Sequence, residues 1–330
     1  MLEGDTVVLL ASKAGRPTDT IPSSWLEWSS SNPSVATADS NGTIRTRSIG
    51  YATIRARSGD YVAEAGIAVV PTVLIGAGDI ADCNSSGDEA TALILDSLQG
   101  LVYTAGDNAY PTGSALDFSN CYEPTWGRHR ARTRPAVGNH EYMTPGAGPY
   151  FSYFGKAAGD SGAGYYSYDR GAWHIVVLNS LQDVRPGSPQ EQWLRADLLA
   201  HPSKCALAYF HYPLFSSGPH GSISSMKPLW DALYDANADV IISAHDHVYE
   251  RFAPQNPEGA ADGLRGIREF VVGTGGRSLY AFSDIQANSE VRSNTTYGVL
   301  KLTLHLSSYD WEFIPVRGGA FTDYGHTACH

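Results

Sequence analysis

No Cys-x-x-Cys pair occurs in this chain of 330 residues, which disfavours a thiolate zinc site or a thioredoxin-like redox motif. No run approaches the ~20 apolar residues of a membrane span. There is no Gly-x-Ser-x-Gly elbow, so a serine nucleophile of the Ser-His-Asp kind is disfavoured as well. The first seventy residues contain neither histidine nor cysteine and therefore gather no catalytic residue types. Lysine is scarce, and the net charge of −11 argues against nucleic acid or an anionic membrane as a partner. An anionic substrate would need a local positive centre, and a metal cluster is one way to supply it. No signal peptide is visible; Met1-Leu2-Glu3 leads straight into strand-like sequence, as in a chain trimmed at its start.

What is present is an ordinary globular composition, 42% hydrophobic and 17% charged, rich in Tyr (19), Gly (34) and Pro (18). That mix suits a loop-rich extracellular protein. Four cysteines, Cys83, Cys121, Cys205 and Cys329, fit two disulfides in an oxidising compartment, with three connectivities open. Cys83 and Cys121 each lie beyond a motif expected at a strand end, which favours pairing them and leaves Cys205 to pin Cys329 in the tail. The expected location is secreted or extracytoplasmic.

Two regions differ in pattern. From residue 1 to 70 the sequence reads as short strands and turns. Residues 42–47 and 52–57 alternate apolar or small with polar, the period of a half-buried strand, and Asn41-Gly42 is a hairpin signal. From Pro71 to residue 330 continuous apolar runs appear: Thr72–Ile75, Leu101–Thr104, Ala206–Phe210, Val240–Ser243 and Glu269–Val272. Helices are expected over Asp88–Leu98 (capped by Asp88 or Ser86), Pro189–Leu199 and Met226–Ala236. Alternating strands and helices predict an α/β layered domain. Leu300–Val316 predicts an antiparallel hairpin, so the sheets should be mixed.

Five short motifs each follow an apolar strand at its carboxyl end, where α/β sheets place their ligands. They are Gly78-Asp79, Gly106-Asp107-Asn108-Ala109-Tyr110, Gly138-Asn139-His140-Glu141, His211-Tyr212-Pro213 and Ala244-His245-Asp246-His247. Any one of them is weak: a Gly-Asp pair after a strand is usually a turn, and a single histidine is usually a bonded core residue. All five in order at strand ends make coincidence a poor account.

Their order and identity resemble the calcineurin-like metallophosphoesterases over roughly Thr72–Val316, and within these the purple acid phosphatases. Asp79-Ile80-Ala81 lacks the histidine that most of the superfamily places two residues after the aspartate, while Tyr110 stands where purple acid phosphatases carry a tyrosinate ligand. The string His245-Asp246-His247-Val248-Tyr249-Glu250-Arg251 and the pair Tyr166–Asp169 with Trp173–Ile175 match as well. Residues 28–54, from Trp28 through Ser31-Asn32-Pro33-Ser34-Val35-Ala36 to Ile54, closely resemble the bacterial immunoglobulin-like domains of group 2. The expected architecture is thus an all-β immunoglobulin-like sandwich over residues 1–70. It is followed over 71–330 by an α/β metallophosphatase domain of two packed mixed β-sheets flanked by helices.

The resemblance implies a site. One metal would take Asp79, Tyr110 and His247; the other would take Asn139, His211 and His245; Asp107 would bridge them. These donors suit Fe(III) beside Fe(II), Zn(II) or Mn(II). With a bridging hydroxide the cluster would carry about +1, a focused attraction for phosphate. The implied reaction is hydrolysis of phosphate monoesters by a metal-bound hydroxide attacking in line, acid phosphatase chemistry, with a small-molecule ester as substrate. The alternatives are a phosphodiesterase or nucleotidase on the same cluster, or an inactive surface-binding protein.

His140 and His220 are expected to contact phosphate, either one serving as the acid. Gly221 departs from the paired histidines of the plant-type enzymes and puts part of the leaving-group site in question. Glu141 and Asp246 are expected to orient ligands, Gly273–Gly276 to line the pocket rim and His174 to be core. The immunoglobulin-like region is expected to be a packing or spacer module, or to contact a cell surface or polysaccharide.

Overall fold

The alternation read in the first region becomes paired strands. The computed structural model describes residues 1–203 and 205–330 and divides into two compact units. The first comprises Met1–Thr72 with Arg170–Ala172 and Leu304–Ser307; the second comprises Val73–Asp169, Trp173–Thr303 and Ser308–His330. In the first unit β1 (Thr6–Val8) pairs with β6 (Thr43–Thr46), and β6 pairs with β5 (Ala36–Ala38). A small hairpin joins β2 (Ser12–Lys13) to β3 (Arg16–Thr20). A second three-stranded sheet joins β4 (Glu27–Ser30), β7 (Gly50–Ser58) and β8 (Tyr61–Val69) in that order. The inward residues of both sheets, among them Val35, Ile44, Ala52, Ile54 and Ile67, close one apolar core with Trp28 packed on it. Burying such aliphatics at ~1.5–3 kcal/mol each is what holds these short strands together.

The second unit is built on two sheets. In one, β9 (Thr72–Ala77), β10 (Leu101–Ala105) and β11 (Thr133–Ala136) are parallel neighbours. The same sheet continues through β19 (Gly298–Leu304), β20 (Ser308–Pro315) and β21 (Asp323–Ala328). The other runs in the order β12 (Tyr166–Arg170), β13 (Trp173–Val177), β14 (Cys205–Tyr209), β15 (Val240–Ser243), β17 (Arg268–Val272), β16 (Tyr249–Phe252), β18 (Ser289–Ser293). Its β13–β14–β15–β17 stretch is parallel, while β16 pairs antiparallel with both its neighbours.

Aromatic pairs join the two sheets face to face. Tyr103 meets Tyr209 at 5.5 Å, Trp173 meets Tyr309 at 5.8 Å and Tyr249 meets Phe313 at 4.5 Å between ring centroids. On the opposite face of the second sheet lie α5 (Pro189–Ala200) and α6 (Lys227–Asp235), which bury Leu194, Leu198, Leu229, Trp230 and Leu233 against Val176, Ala208 and Ile241. Every residue of β13, β14 and β15 is buried, as strands covered on both faces must be. The helix α1 (Gly87–Ser97) begins one residue ahead of the sequence expectation, with Ser86 as its cap. The short helices α2 (Ala115–Asp117), α3 (Asn139–Tyr142) and α4 (Gly148–Phe154) occupy the connections around the second and third motifs.

Two disulfides close the unit, Cys83–Cys121 and Cys205–Cys329. No helix among the described residues is long and apolar enough to cross a membrane.

Candidate metal centre

All five motifs lie at strand ends: Gly78-Asp79 directly after β9, Gly106-Asp107 directly after β10, Gly138-Asn139 one intervening residue beyond β11, His211 one intervening residue beyond β14 and Ala244-His245 directly after β15. The strands come from both sheets, so the motif side chains meet where the carboxyl ends of the two sheets converge. Three of them leave their strands in an unusual way. Among the described residues six non-glycines have positive φ, and Asp79 (58°), Asp107 (49°) and His245 (71°) are half of that set. A left-handed non-glycine costs about 1–3 kcal/mol and persists only where its surroundings hold it. Here the payoff is orientation, because the sharp turn aims each side chain inward rather than along the strand.

The donors form two sets that share one carboxylate. In the first, Tyr110 Oη donates to Asp79 Oδ1 at 2.8 Å, and His247 Nε2 is 3.3 Å from both Tyr110 Oη and Asp79 Oδ1. In the second, His211 Nε2 lies 2.9 Å from Asn139 Oδ1, and His245 has a ring nitrogen within 4.8 Å of the Asp107 and His211 donors. The shared group is Asp107, whose Oδ2 is 3.0 Å from Tyr110 Oη and 3.3 Å from His211 Nε2. Asp79, Asp107, Tyr110, His211 and His247 are buried, while Asn139 and His245 are partly exposed.

The surroundings fix which atoms point inward. Nδ1–H of His211 donates to Ala105 O at 2.9 Å and Nδ1–H of His247 to Ser278 O at 2.7 Å, leaving each Nε2 turned toward the carboxylates. The backbone N–H of His140 donates to Asp107 Oδ1 at 2.8 Å, and that of His245 to Asp79 Oδ2 at 2.8 Å. Electrostatics point the same way. Burial disfavours ionisation of Asp79 and Asp107, yet His247 beside the first and His211 beside the second hold both carboxyls below the usual range. Burial likewise opposes a charge on His211, yet Asp107 and Asp79 push its pKa up to about 9. His245, partly buried beside the cationic His211, falls to about 3 and stays neutral. The centre thus sets two ionised carboxylates among histidine, phenol and amide groups, a mixed set of oxygen and nitrogen donors able to hold metal cations.

Glu141 and Asp246 brace the backbone around the donors. Glu141 accepts from the N–H groups of Asn108 (2.8 Å), Ala109 (3.2 Å) and Gly138 (2.8 Å), tying the second motif to the third. Asp246 accepts from Ser216 Oγ at 2.5 Å and from His220 N at 2.9 Å. His140 stands at the edge, its ring 4.3 Å from that of Tyr110 and its Nε2 3.8 Å from Asp107 Oδ2. His220 is exposed and stacks on His245 at 4.3 Å. The two histidines therefore flank the donors from different sides.

Glycine lets these segments touch. A Cβ on Gly138 would fall on the N and Oδ1 of Asp107, closer than real Cβ atoms ever approach, although its φ of −117° suits any residue. Gly138→Ala must therefore push two motif loops apart. We expect a loss of about 1–3 kcal/mol in thermal or denaturant unfolding, and about 100-fold lower turnover for a displacement near 1 Å. An alanine variant with unchanged turnover would mean that the loops give way freely.

Residues assigned no role from sequence complete the rim and its support. Tyr280 stacks on His247 at 4.0 Å, Tyr212 lies 4.5 Å from His245, and the guanidinium of Arg277 sits 5.2 Å from the Tyr110 ring centroid. The expectation for Gly273–Gly276 is corrected: all four are buried, with Gly273 against Asp79 and Gly275 against Gly78, and the rim begins at Arg277. His174 is buried as expected, but it is held between Asp169 and Asp197 at 2.8 Å each and stacks on His201. Asp169 stands 5 residues away in the strand pair already noted in the sequence, whereas Asp197 stands 23 residues away on α5.

Two further buried acids hold the His220 loop. Glu250 accepts from Ser217 N and Oγ at 2.8 and 2.6 Å, and Glu269 accepts from Phe215 N at 3.2 Å. Burial pushes Glu269 up to about 8 from 4.5. The folded state then keeps a proton that the unfolded chain releases above pH 4.5, so this group makes stability fall as pH rises from about 4.5 to 8. Relative to wild type, Glu269→Gln should therefore gain stability with rising pH by about 1.4 kcal/mol per unit at most within that window. Parallel pH–stability curves for the two proteins would show that Glu269 titrates normally.

Strands that deliver acids, an amide, a phenol and histidines to one point make a candidate metal centre, and comparison with known proteins supplies the family. Residues 68–249 match the calcineurin-like phosphoesterase family, and residues 2–69 match the bacterial Ig-like domain (group 2). The chain belongs to the calcineurin-like phosphoesterase family, as a purple acid phosphatase-like member preceded by a bacterial Ig-like domain. Among curated relatives in Arabidopsis thaliana, probable purple acid phosphatase 20 is 29% identical over 164 residues, covering 42% of this chain and 38% of the relative. Purple acid phosphatase 22 is 36% identical over 94 residues, covering 27% and 22%. Probable inactive purple acid phosphatase 1 is 26% identical over 231 residues, covering 56% and 37%. The chain thus spans about two fifths or less of the length of these relatives. The purple acid phosphatase PPD1 from yellow lupin (Lupinus luteus) seeds superposes with a TM-score of 0.66 at 16% identity, covering 99% of this chain and 70% of that one. GAP50, the anchor in the inner membrane complex of Plasmodium, superposes with a TM-score of 0.61 at 15% identity, covering 77% and 88%.

Proposed function

We propose that the chain hydrolyses phosphate monoesters at a two-metal centre, as an acid phosphatase. The observation that carries the reading is the position of Asp107 Oδ2, within 3.3 Å of a donor from each of two ligand sets. Asp79, Tyr110 and His247 would hold one ion and Asn139, His211 and His245 the other, with Fe(III) on the phenol side and Fe(II), Zn(II) or Mn(II) opposite. When bound, such a pair supplies an acidic water and a positive clamp on phosphate oxygens. On the protein side, His140 and His220 flank the donors and would contact the phosphate, and one of them would protonate the leaving oxygen. The half-exposed rings of Tyr212 and Tyr280 would wall the space occupied by the leaving group.

Residues 71–330 would carry the whole reaction, because no assigned residue precedes Asp79. Two disulfides support extracytoplasmic placement, and the Ig-like domain would serve as a spacer or as a contact to a cell surface or polysaccharide. The test is metal analysis of the purified full chain, followed by initial rates on a panel of phosphate mono- and diesters. Two equivalents of metal with monoester preference support the reading. Diester or nucleotide preference assigns the same centre to a phosphodiesterase or nucleotidase, and two ions without turnover on any ester would make the chain an inactive relative.

A further inference from the structure

We propose that Arg277 is a positioning residue for Tyr110, fixing its ring and setting the energy of the electrons its oxygen shares with iron. The inference rests on the reading of Tyr110 as an iron ligand.

Arg277 follows the buried Gly273–Gly276 turn and is tied at three points. Its backbone N–H donates to Asp79 O at 2.9 Å. Its Nη1 forms an ion pair with Asp82, a buried carboxylate that also accepts from Asn84 N at 2.9 Å. Its guanidinium carbon lies 5.2 Å from the Tyr110 ring centroid, inside the range of a cation–π contact. An arginine side chain 37% exposed would ordinarily sample many rotamers, but these ties hold its charge beside a ring that is 2% exposed. No other cation–π contact among the described residues involves a proposed ligand.

A fixed positive charge near the ring face lowers the energy of its π electrons. The visible band of a tyrosinate–ferric pair comes from transfer of those electrons toward iron, so a lower donor level widens the gap and moves the band to shorter wavelength. Removing the charge should move it to longer wavelength. Asp82, by neutralising part of the guanidinium charge while anchoring it, limits the effect without abolishing it.

The experiment compares the visible spectra and iron content of the iron-loaded full chain with those of Arg277→Gln and Arg277→Lys. The glutamine variant should keep its iron and show a band displaced to longer wavelength by on the order of 10 nm, with the lysine variant lying nearer to wild type. A merely structural role would change stability or iron content and leave the band in place. A coloured wild type whose band does not move in Arg277→Gln overturns the inference while sparing Tyr110 as a ligand. Loss of iron from both variants also overturns it, since Arg277 would then retain metal rather than tune it. A colourless iron-loaded wild type removes the ligand reading itself, and the inference with it.

Discussion

Asp107→Asn should release both metal ions together and lower turnover on a phosphate ester by roughly a thousandfold or more, since losing even an outer-shell partner costs 10–100-fold and the proposed role of this group is to serve two ions. The substitution is a clean test because it changes little else. Position 107 has φ 49°, a conformation that asparagine tolerates better than most residues. Asparagine can still accept the 2.8 Å bond from His140 N, and it fills the same volume under the Gly138 backbone. What it removes is the negative charge and one acceptor, and if the carbonyl keeps the His140 bond, the amide NH₂ is left facing Tyr110 Oη and His211 Nε2. Metal analysis by mass spectrometry, a thermal melt and initial rates would read the three consequences separately. A folded variant with two ions and near-normal turnover would show that Asp107 is not the shared ligand. Loss of a single ion would instead assign it to one side of the centre.

How much of this was legible before the structure depends on how the information is stored along the chain. Each motif occupies one continuous stretch behind a short apolar run, so strand-end placement of Asp79, Asp107, Asn139, His211 and His245 could be read from local pattern. The two sheets were legible as alternating buried strands and helices, though β17 starts at Arg268 rather than Glu269 and α6 at Lys227 rather than Met226.

Three kinds of feature were not legible. The left-handed turns at Asp79, Asp107 and His245 are imposed by tertiary contacts and leave no propensity signal of their own, apart from the glycine before each aspartate. The rim residues Arg277 and Tyr280 sit on a connection with no hydrophobic period, where sequence reading has nothing to count. Acid pairs such as Asp169 and Asp197 around His174, or Glu250 and Glu269 around the His220 loop, come from separate elements whose meeting is a property of sheet order. Gly273–Gly276 was misplaced for a related reason. Glycine-rich sequence suggests an open loop, but here the missing side chains allow backbone to pack against Gly78 and Asp79.

Tyr110→Phe is the second change expected to have a large effect, and it separates a purple-type centre from its all-divalent relatives. Tyr110 lies three residues after Asp107, and the first motif, Asp79-Ile80-Ala81, offers no histidine beside Asp79. Its Oη lies within 3.3 Å of Asp79, Asp107 and His247, so the phenol oxygen stands among the other proposed donors of that side. Burial and the two neighbouring carboxylates push the phenol well above its usual pKa when no metal compensates them, so its ionisation depends on a strongly acidic ion such as Fe(III). Iron-loaded wild type should therefore be pink to purple, with an acidic to neutral rate optimum because a ferric centre generates hydroxide at lower pH than a divalent pair. Phenylalanine keeps the ring against His140, 4.3 Å away, and beside Arg277, while deleting the donor oxygen. The visible band should vanish completely even where iron is retained, and turnover should drop at least about tenfold. Absorption spectra, iron content and a pH–rate profile on both proteins decide the matter. A colourless wild type holding two divalent ions, with an alkaline optimum, would mean that Tyr110 only packs beside the centre, leaving a binuclear phosphoesterase without a tyrosinate.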